Sequence, residues 1–239
     1  MDQLKKEAII ILDFGSQYTQ LIARRIREFN VYSEVVSPEI DLKSIKEKNP
    51  RAIILSGGPS SVFSDDAPDF DKNILNVDTP ILGICYGLHL LVHHNGGAVN
   101  STGKGEYGFA EVDFTKGNTI TEQMSDTSNV WMSHMDQVTK VPDGWQVIAT
   151  SANGVVAGLI NRKQNKIATQ FHPEVSHTEE GGQLLKNFIF KIAKCEKNWT
   201  PSNFIQEQVK KIKEKSGDEN ILVGVSGGVD STVMACLIN

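Results

Sequence analysis

The sequence has 239 residues, of which 39% are hydrophobic and 22% are charged, so it can bury one substantial core and part of a second. A net charge of -5 gives no electrostatic reason to expect nucleic acid or an anionic membrane surface as a partner. No signal peptide or membrane span is visible, and the 3 cysteines do not suggest a disulfide framework. We therefore expect a cytoplasmic protein that acts on small molecules or on another protein.

Short β-branched runs alternate with helical patterns in the first part of the chain. Residues 8–12 predict a buried strand, and residues 17–29 predict an amphipathic helix. Residues 51–55 and 80–84 predict two further buried strands, each leading into a glycine-containing turn. This alternation predicts an α/β fold, in which an open and mostly parallel sheet carries helices on both faces.

The pattern changes after residue 105. Period-two alternation over residues 145–151, 155–160 and 166–171 predicts strands that extend the sheet in antiparallel fashion. Residues 178–195 predict one long amphipathic helix. We expect this helix to close the first domain.

Polar residues 196–203 are the predicted linker, which gives a first domain over residues 1–198 and a second segment over residues 199–239. A charged helix is predicted from residue 204 to about 215. A predicted strand, residues 221–225, then leads into a glycine-rich motif and an apolar helix; the motif is Ser226, Gly227, Gly228, Val229, Asp230 and Ser231. A lone βα unit cannot fill a core, so we expect the truncated start of a second α/β domain.

A cysteine flanked by glycines follows the third predicted strand. The run from Gly83 through Cys85 to Gly87 has the pattern of a nucleophile elbow, where tight packing at the flanks tolerates no side chain. The helix predicted over residues 86–93 places its N-terminus beside the thiol and favours the nucleophilic thiolate. Taken alone, the run also fits a buried structural cysteine between packing glycines.

His172 and Glu174 follow the last predicted strand. Residues two apart in an extended chain face the same side, and Pro173 keeps His172 out of the helical conformation. A histidine held by a carboxylate is a general base with a defined tautomer. A solvated histidine and glutamate at a strand end remain the alternative for this pair on its own.

A glycine-rich loop after the strand over residues 51–55 is the third candidate. It lies at the carboxyl end of a parallel strand, where open α/β sheets bind ligands. We expect the backbone N–H groups of Gly58 and Tyr86 to form an oxyanion hole. Without Cys85 nearby, a simple chain reversal would explain the loop equally well.

Together, these three elements resemble the triad-type, class I glutamine amidotransferases over about residues 8–195. The resemblance implies a flavodoxin-like fold and a Cys85 nucleophile that forms a glutamyl thioester. It also implies that His172 protonates the departing ammonia and that Glu174 orients His172. Glutamine hydrolysis by this family requires no cofactor.

The same resemblance implies a set of substrate-binding residues. The run from Ser133 through Met135 to Asp136 is similar to the family segment that holds the amino-acid end of glutamine. Met135 stands where glycine is common, which matters little if the contact is through the backbone. His89 occupies a position where a substrate-contacting glutamine is usual, so the glutamine pose is expected to differ in detail.

Residues 11–18, 105–108 and 131–134 look like the GMP synthetase branch of this family. Ser226–Ser231 resembles the PP-loop of ATP pyrophosphatases, in which backbone N–H groups and a helix N-terminus bind the pyrophosphate of ATP. A glycine turn before a capped helix is the alternative for that motif alone. The resemblance implies a homodimeric full enzyme that uses ATP and Mg2+ to activate XMP, which ammonia converts to GMP.

Two other functions fit part of the sequence. An amidotransferase subunit serving another acceptor would leave the PP-loop unexplained. A non-catalytic, nucleotide-binding regulatory module would not require Cys85, His172 and Glu174. No metal site is predicted, and we expect this chain to hydrolyse glutamine without making GMP on its own.

Overall fold

The computed structural model describes residues 8–64, 67–197 and 199–238. The chain divides into two compact units, residues 1–198 and residues 199–239, and each is described by itself. None of the helices in the described ranges combines the length and apolar character needed to cross a membrane.

A nine-stranded sheet organises the first unit. Its strands are β1 (Ala8–Leu12), β2 (Tyr32–Val36), β3 (Ala52–Leu55), β4 (Ile81–Ile84), β5 (Ala98–Phe114), β6 (Thr127–Lys140), β7 (Gln146–Ser151), β8 (Val156–Asn161) and β9 (Lys166–Thr169). They lie in the order β2-β1-β3-β4-β9-β8-β7-β5-β6. The first five strands in this order are parallel, and each later pair is antiparallel. The predicted open α/β sheet and its antiparallel extension are confirmed.

Helices cover both faces of this sheet. They are α1 (Thr19–Glu28), α2 (Leu42–Lys48), α3 (Tyr86–His94) and α4 (Gly181–Lys186), which continues as a π-helical segment (Asn187–Ile192); a 3-10 helix spans Lys72–Asn76. Alternate side chains of β1 enter different cores, because successive residues of a strand face opposite sides. Ile9 and Ile11 pack in the same core as α1, whereas Ile10 and Leu12 pack in the same core as α3. Because both faces of the sheet are packed against helices, the ends of its strands are held in fixed positions. The candidate site lies at these strand ends.

The helix predicted over residues 178–195 is wrong in its start and in its regularity. The observed α4 begins only at Gly181. Thr178 precedes it, and its hydroxyl donates to the His172 carbonyl at 2.6 Å. Within the predicted span, the Asn187 amide donates to the carbonyls of Ile120 and Glu122. These tertiary contacts accompany the change to the π-helical segment at that residue.

The second unit contains α5 (Pro201–Ser216) and α6 (Val229–Ile238). The first helix begins inside the predicted linker, because Thr200 caps it by accepting from the Asn203 N–H at 3.1 Å and proline suits the first helical position. The strand predicted over residues 221–225 is wrong for the described chain, which has no regular structure there. A strand is stabilised by ladder bonds to a neighbour, and no described segment of this unit supplies one.

Candidate active site

The candidate site residues follow the carboxyl ends of neighbouring strands. Leu12 of β1 is in register with Leu55 of β3, which is in register with Gly83 of β4. Ile84 of β4 is in register with Thr169 of β9. The segments that follow these strands therefore meet at one edge of the sheet, as expected for ligand sites in parallel α/β folds.

Cys85 occupies a sharp turn between β4 and α3. Its backbone has φ 52° and ψ -102°, a conformation that costs a non-glycine residue about 1–3 kcal/mol and persists only when packing enforces it. A Cβ on Gly83 would lie 2.5 Å from the Gly87 carbonyl oxygen, and one on Gly87 would lie 2.5 Å from that of Leu55. The flanking glycines are therefore required by close backbone packing, and the turn projects the sulfur at the sheet edge.

His172 and Glu174 form a buried pair beside this turn. The distance from His172 Nδ1 to Glu174 Oε1 is 2.7 Å, so Nδ1 donates to the carboxylate, and the ring also interacts with the Cys85 sulfur. Burial alone would lower the pKa of His172, but the charge of Glu174 and the hydrogen bonds with Cys85 and Glu174 together outweigh burial and raise this pKa to about 10. The site thus favours the protonated imidazolium form of His172.

Three supports of this pair were not found from the sequence. The Tyr18 ring packs edge-on against the His172 ring with centroids 5.0 Å apart, and the Thr178 hydroxyl donates to the His172 carbonyl. Arg25 Nε donates to the Glu174 carbonyl at 2.9 Å. Tyr18 and Arg25 are far from the pair along the chain, so no local motif could reveal them; Thr178 is close in sequence, but its role depends on the backbone turn after His172.

The glycine-rich loop is held by Ser56. This hydroxyl accepts from the Phe14 N–H at 2.9 Å and donates to the Gly57 carbonyl at 2.8 Å. A Cβ on Gly58 would lie 2.5 Å from the Phe14 carbonyl oxygen, so only glycine fits there without displacement. The loop is thereby fixed against the end of β1.

A cavity of about 300 Å³ opens beside Cys85. The six residues that the sequence predicted as oxyanion or substrate contacts all line it, together with Cys85; they are Gly58, Tyr86, His89, Ser133, Met135 and Asp136. A second cavity of about 300 Å³ reaches Cys85 and His172 from the side of Gly15 and Tyr18. Cys85 therefore borders two cavities although its side chain is buried.

A buried network holds the cavity wall on β6. Glu106 Oε2 lies 3.2 Å from His134 Nε2, and Glu106 Oε1 accepts from Ser151 and Asn153 at 2.8 and 2.9 Å. On the other side of its ring, His134 Nδ1 lies 3.0 Å from the Asp136 carbonyl oxygen. These bonds fix the Ser133–Asp136 wall, and Glu106 is a site residue whose role the sequence did not reveal.

The predicted PP-loop residues lie in the second unit. The Ser231 hydroxyl accepts from the Ser226 N–H at 3.2 Å and donates to the Gly228 carbonyl at 3.1 Å. Gly227 has φ 85°, a left-handed conformation that glycine adopts without strain. Ser226, Gly227 and Gly228 thus form a turn that is held by hydrogen bonds to Ser231, whereas Val229, Asp230 and Ser231 form the first turn of α6.

Metal-ligating side chains do not cluster in the part of the chain that the structure describes. Residues 8–64, 67–197 and 199–238 contain no group of three or more His, Cys, Asp or Glu residues arranged to hold a metal ion.

The first unit matches a known protein family. Residues 10–192 match the family model for glutamine amidotransferase class-I. This chain belongs to the class-I glutamine amidotransferase family. The match covers β1 through the π-helical segment almost entirely, including every candidate residue of the first unit.

Curated relatives of this amidotransferase chain include two bacterial proteins named GMP synthase [glutamine-hydrolyzing]. The one from Brachyspira hyodysenteriae is 50% identical over 232 residues, which are 97% of this chain and 45% of the relative. The one from Aquifex aeolicus is 47% identical over 234 residues, or 98% and 46% of the two chains. The chain spans about half the length of these relatives.

Solved structures share the amidotransferase fold. A protein from Thermoplasma acidophilum, described as a candidate GMP synthase subunit, superposes with a TM-score of 0.71 and 29% identity, covering 84% of this chain and 98% of that one. A glutamine amidotransferase from Thermotoga maritima has a TM-score of 0.58 and 18% identity, covering 97% and 94%. The second likeness concerns the fold alone.

Proposed function

We propose that this chain hydrolyses glutamine to glutamate and ammonia, with Cys85, His172 and Glu174 as its catalytic triad. The observation that carries the proposal is the meeting of a strained cysteine turn with a buried His–Glu pair at the edge of one cavity. Such a turn presents a nucleophile, and such a pair moves protons.

In the first half of the reaction, the Cys85 thiolate attacks the side-chain amide carbon of glutamine. A carbon–sulfur bond forms, and the amide oxygen becomes an oxyanion that accepts hydrogen bonds from the N–H groups of Gly58 and Tyr86. The His172 imidazolium gives its proton to the amide nitrogen. The carbon–nitrogen bond then breaks, and ammonia leaves a glutamyl thioester on Cys85.

In the second half, water attacks the thioester carbon and gives a proton to the now neutral His172. The carbon–sulfur bond breaks, glutamate leaves, and Cys85 returns to the thiolate beside a protonated His172. Glu174 keeps the Nδ1–H of His172 directed toward itself throughout, so that the opposite ring nitrogen exchanges the proton. The raised pKa of His172 matches a resting thiolate–imidazolium pair.

The amino-acid end of glutamine is assigned to the far side of the cavity. The Asp136 carboxylate suits the substrate ammonium group, and the wall from Ser133 to Met135 offers backbone groups. The buried His89 lines the same cavity. Met135 lines this cavity and is exposed to solvent.

We extend the proposal to the full-length enzyme, because the relatives are about twice as long as this chain. There, ammonia would aminate XMP to GMP with ATP, and the first unit (residues 1–198) would precede an ATP pyrophosphatase domain that begins in residues 199–239. The full enzyme is proposed to be a cytoplasmic homodimer. Mg2+ enters with ATP in this proposal, as the counter-ion of its phosphates.

ATP is assigned to Ser226–Ser231. Gly227, in the left-handed conformation, and the start of α6 at Val229 provide backbone N–H groups that suit a pyrophosphate. Open space around Gly227, where an added Cβ would meet nothing within 4 Å, leaves room for the close approach of a phosphate to the backbone.

Glutamate release by wild type and Cys85→Ala tests the first proposal. We expect Cys85→Ala to lose at least about a thousandfold in rate, whereas Cys195→Ala and Cys236→Ala remain active. A diazo-ketone analogue of glutamine should label Cys85 alone, as shown by peptide mapping. Equal glutamate release by wild type and Cys85→Ala would refute the assignment. GMP formation by this chain from XMP, ATP and ammonia would contradict the expectation that it cannot complete synthesis.

A further inference from the structure

A buried hydrogen-bond chain that does not include the His172–Glu174 pair reaches Cys85. His89 Nε2 lies 2.9 Å from Gln170 Oε1, and Gln170 Nε2 donates to Cys85 Sγ at 3.8 Å. His89 is 5% exposed and Gln170 is 0% exposed. The proposed triad mechanism uses neither contact.

The chemistry of these groups fixes the direction of the hydrogen bonds. Gln170 Oε1 can only accept, so His89 Nε2 carries the hydrogen. With its oxygen held in this way, the Gln170 amide must turn its NH2 group toward the Cys85 sulfur. If the amide were reversed, its oxygen would face the sulfur, and two electron-rich atoms would repel each other once the thiolate formed.

His89 is well placed to hold the amide without adding a charge. Burial lowers the pKa of His89, against smaller raising effects from Gln170 and Asp136, so its neutral form is favoured. Its backbone N–H donates to the Cys85 carbonyl at 3.2 Å, which ties the histidine to the nucleophile turn. The other titratable groups facing this region are His134 and Asp136 of β6 and His172 beyond the sulfur.

We infer that Gln170 is an additional donor to the Cys85 thiolate and that His89 is the positioning residue that orients its amide. This inference rests on the proposed role of Cys85 as nucleophile. The N–H···S contact stabilises the thiolate before attack and again when the thioester breaks. Hydrogen bonds to a charged acceptor are stronger than neutral ones, so the contact favours the anion over the thiol.

The test measures how readily Cys85 ionises, without any glutamine. The rate of iodoacetamide alkylation at Cys85 is followed by peptide mapping from pH 5 to 10 in the intact protein. We expect the midpoint of the pH profile to move upward by about one pH unit in Gln170→Met and in His89→Leu. His89→Gln should stay close to wild type, because its Nε2 can replace the imidazole donor.

His94→Gln is the matched control. His94 lies on the same helix but contacts Asn76, so its replacement should leave the profile unchanged. Alkylation of the buried Cys195 reports any variant that fails to fold. Gln170→Glu is a second variant should Gln170→Met unfold; it replaces the donor with a carboxylate and should move the midpoint upward further.

Three results would overturn the inference. An unchanged midpoint in Gln170→Met and Gln170→Glu would remove Gln170 as a donor. An unchanged midpoint in His89→Leu, with a raised KM for glutamine, would make His89 a substrate contact instead. A midpoint in His89→Gln as high as in His89→Leu would exclude orientation through a donor. Because alkylation needs no turnover, these results are independent of the Cys85→Ala test of glutamine hydrolysis.

Discussion

Both units contain a glycine-rich turn that leads into a helix, but different forces hold the two turns. Around Cys85, a Cβ on either flanking glycine would approach a backbone carbonyl oxygen to 2.5 Å. In the second unit, a Cβ on Gly228 would meet nothing closer than Ser226 Oγ at 3.5 Å, and α6 has no buried residue. The first turn is therefore shaped by tertiary packing and the second by local hydrogen bonds.

The electrostatics of the two units differ in the same way. In the first unit, Glu174 and Glu106 are buried against histidines, where removal of one partner leaves a desolvated group. In the second unit, the ion pairs on α5 are solvent-exposed, and such pairs contribute little to stability. A substitution in a buried pair of the first unit should therefore have a much larger effect than a matched substitution in an exposed pair of the second unit.

The largest effect is expected for Glu174→Gln. The Glu174 carboxylate orients His172 and raises the pKa of His172. Without this carboxylate, glutamine hydrolysis should fall about a thousandfold. Steady-state glutamate release measures the change. Glu179→Gln, five residues along the chain, is the control, because Glu179 is exposed and water can replace the hydrogen bonds that its carboxylate accepts from Asn129. A loss of similar size in both variants would contradict the assignment.

The same variant should change the pH dependence of stability. The folded-state pKa of His172 is raised from 6.5 to about 10, so its contribution is complete below about pH 6.5 and is lost as the pH rises through about 10. The stability difference between wild type and Glu174→Gln should therefore be largest at pH 6 and should shrink toward pH 10. Urea unfolding at pH 6, 8 and 10 measures it; a difference independent of pH would refute this account.

A smaller loss is expected when the two glycine turns are filled. Gly87→Ala forces a methyl group against the Leu55 carbonyl oxygen and should lower the free energy of unfolding by about 3 kcal/mol. Gly228→Ala makes only an ordinary contact with Ser226 Oγ at 3.5 Å and should cost less than about 1 kcal/mol. Urea unfolding followed by circular dichroism compares the two. Equal losses would show that local conformation, not packing, limits both turns.

The smallest effect in the first unit is expected for Glu106→Gln. The Glu106 carboxylate accepts from His134, Ser151 and Asn153, and one amide oxygen cannot replace it. The free energy of unfolding should therefore fall by about 1–3 kcal/mol. KM for glutamine should rise because the cavity wall loosens. The matched Glu214→Gln, which breaks an exposed pair with Lys210, should change stability by less than about 0.5 kcal/mol. A larger loss of unfolding free energy in Glu214→Gln than in Glu106→Gln would contradict this prediction.

Local chemistry was sufficient to predict the α/β alternation, the antiparallel extension, the cysteine turn and the His172–Glu174 pair. The expected substrate contacts, by contrast, came from the family resemblance. Buried strands of a parallel sheet are continuous apolar runs, so β1, β3 and β4 stand out in the sequence. Two candidate motifs can also be detected locally, because each is short and is positioned by a single strand end. They are the run through Cys85 and the pair His172 and Glu174. Their roles as a triad remain a prediction for the experiments above.

Contacts between distant parts of the chain were not predictable in this way. Gln170 faces Cys85 because β9 lies beside β4, and Glu106 meets His134 because β5 and β6 pair at that register. The π-helical segment from Asn187 forms where that side chain binds carbonyls about 65 residues earlier. A linear pattern records the periodicity of one element, whereas these hydrogen bonds depend on which elements become neighbours when the chain folds.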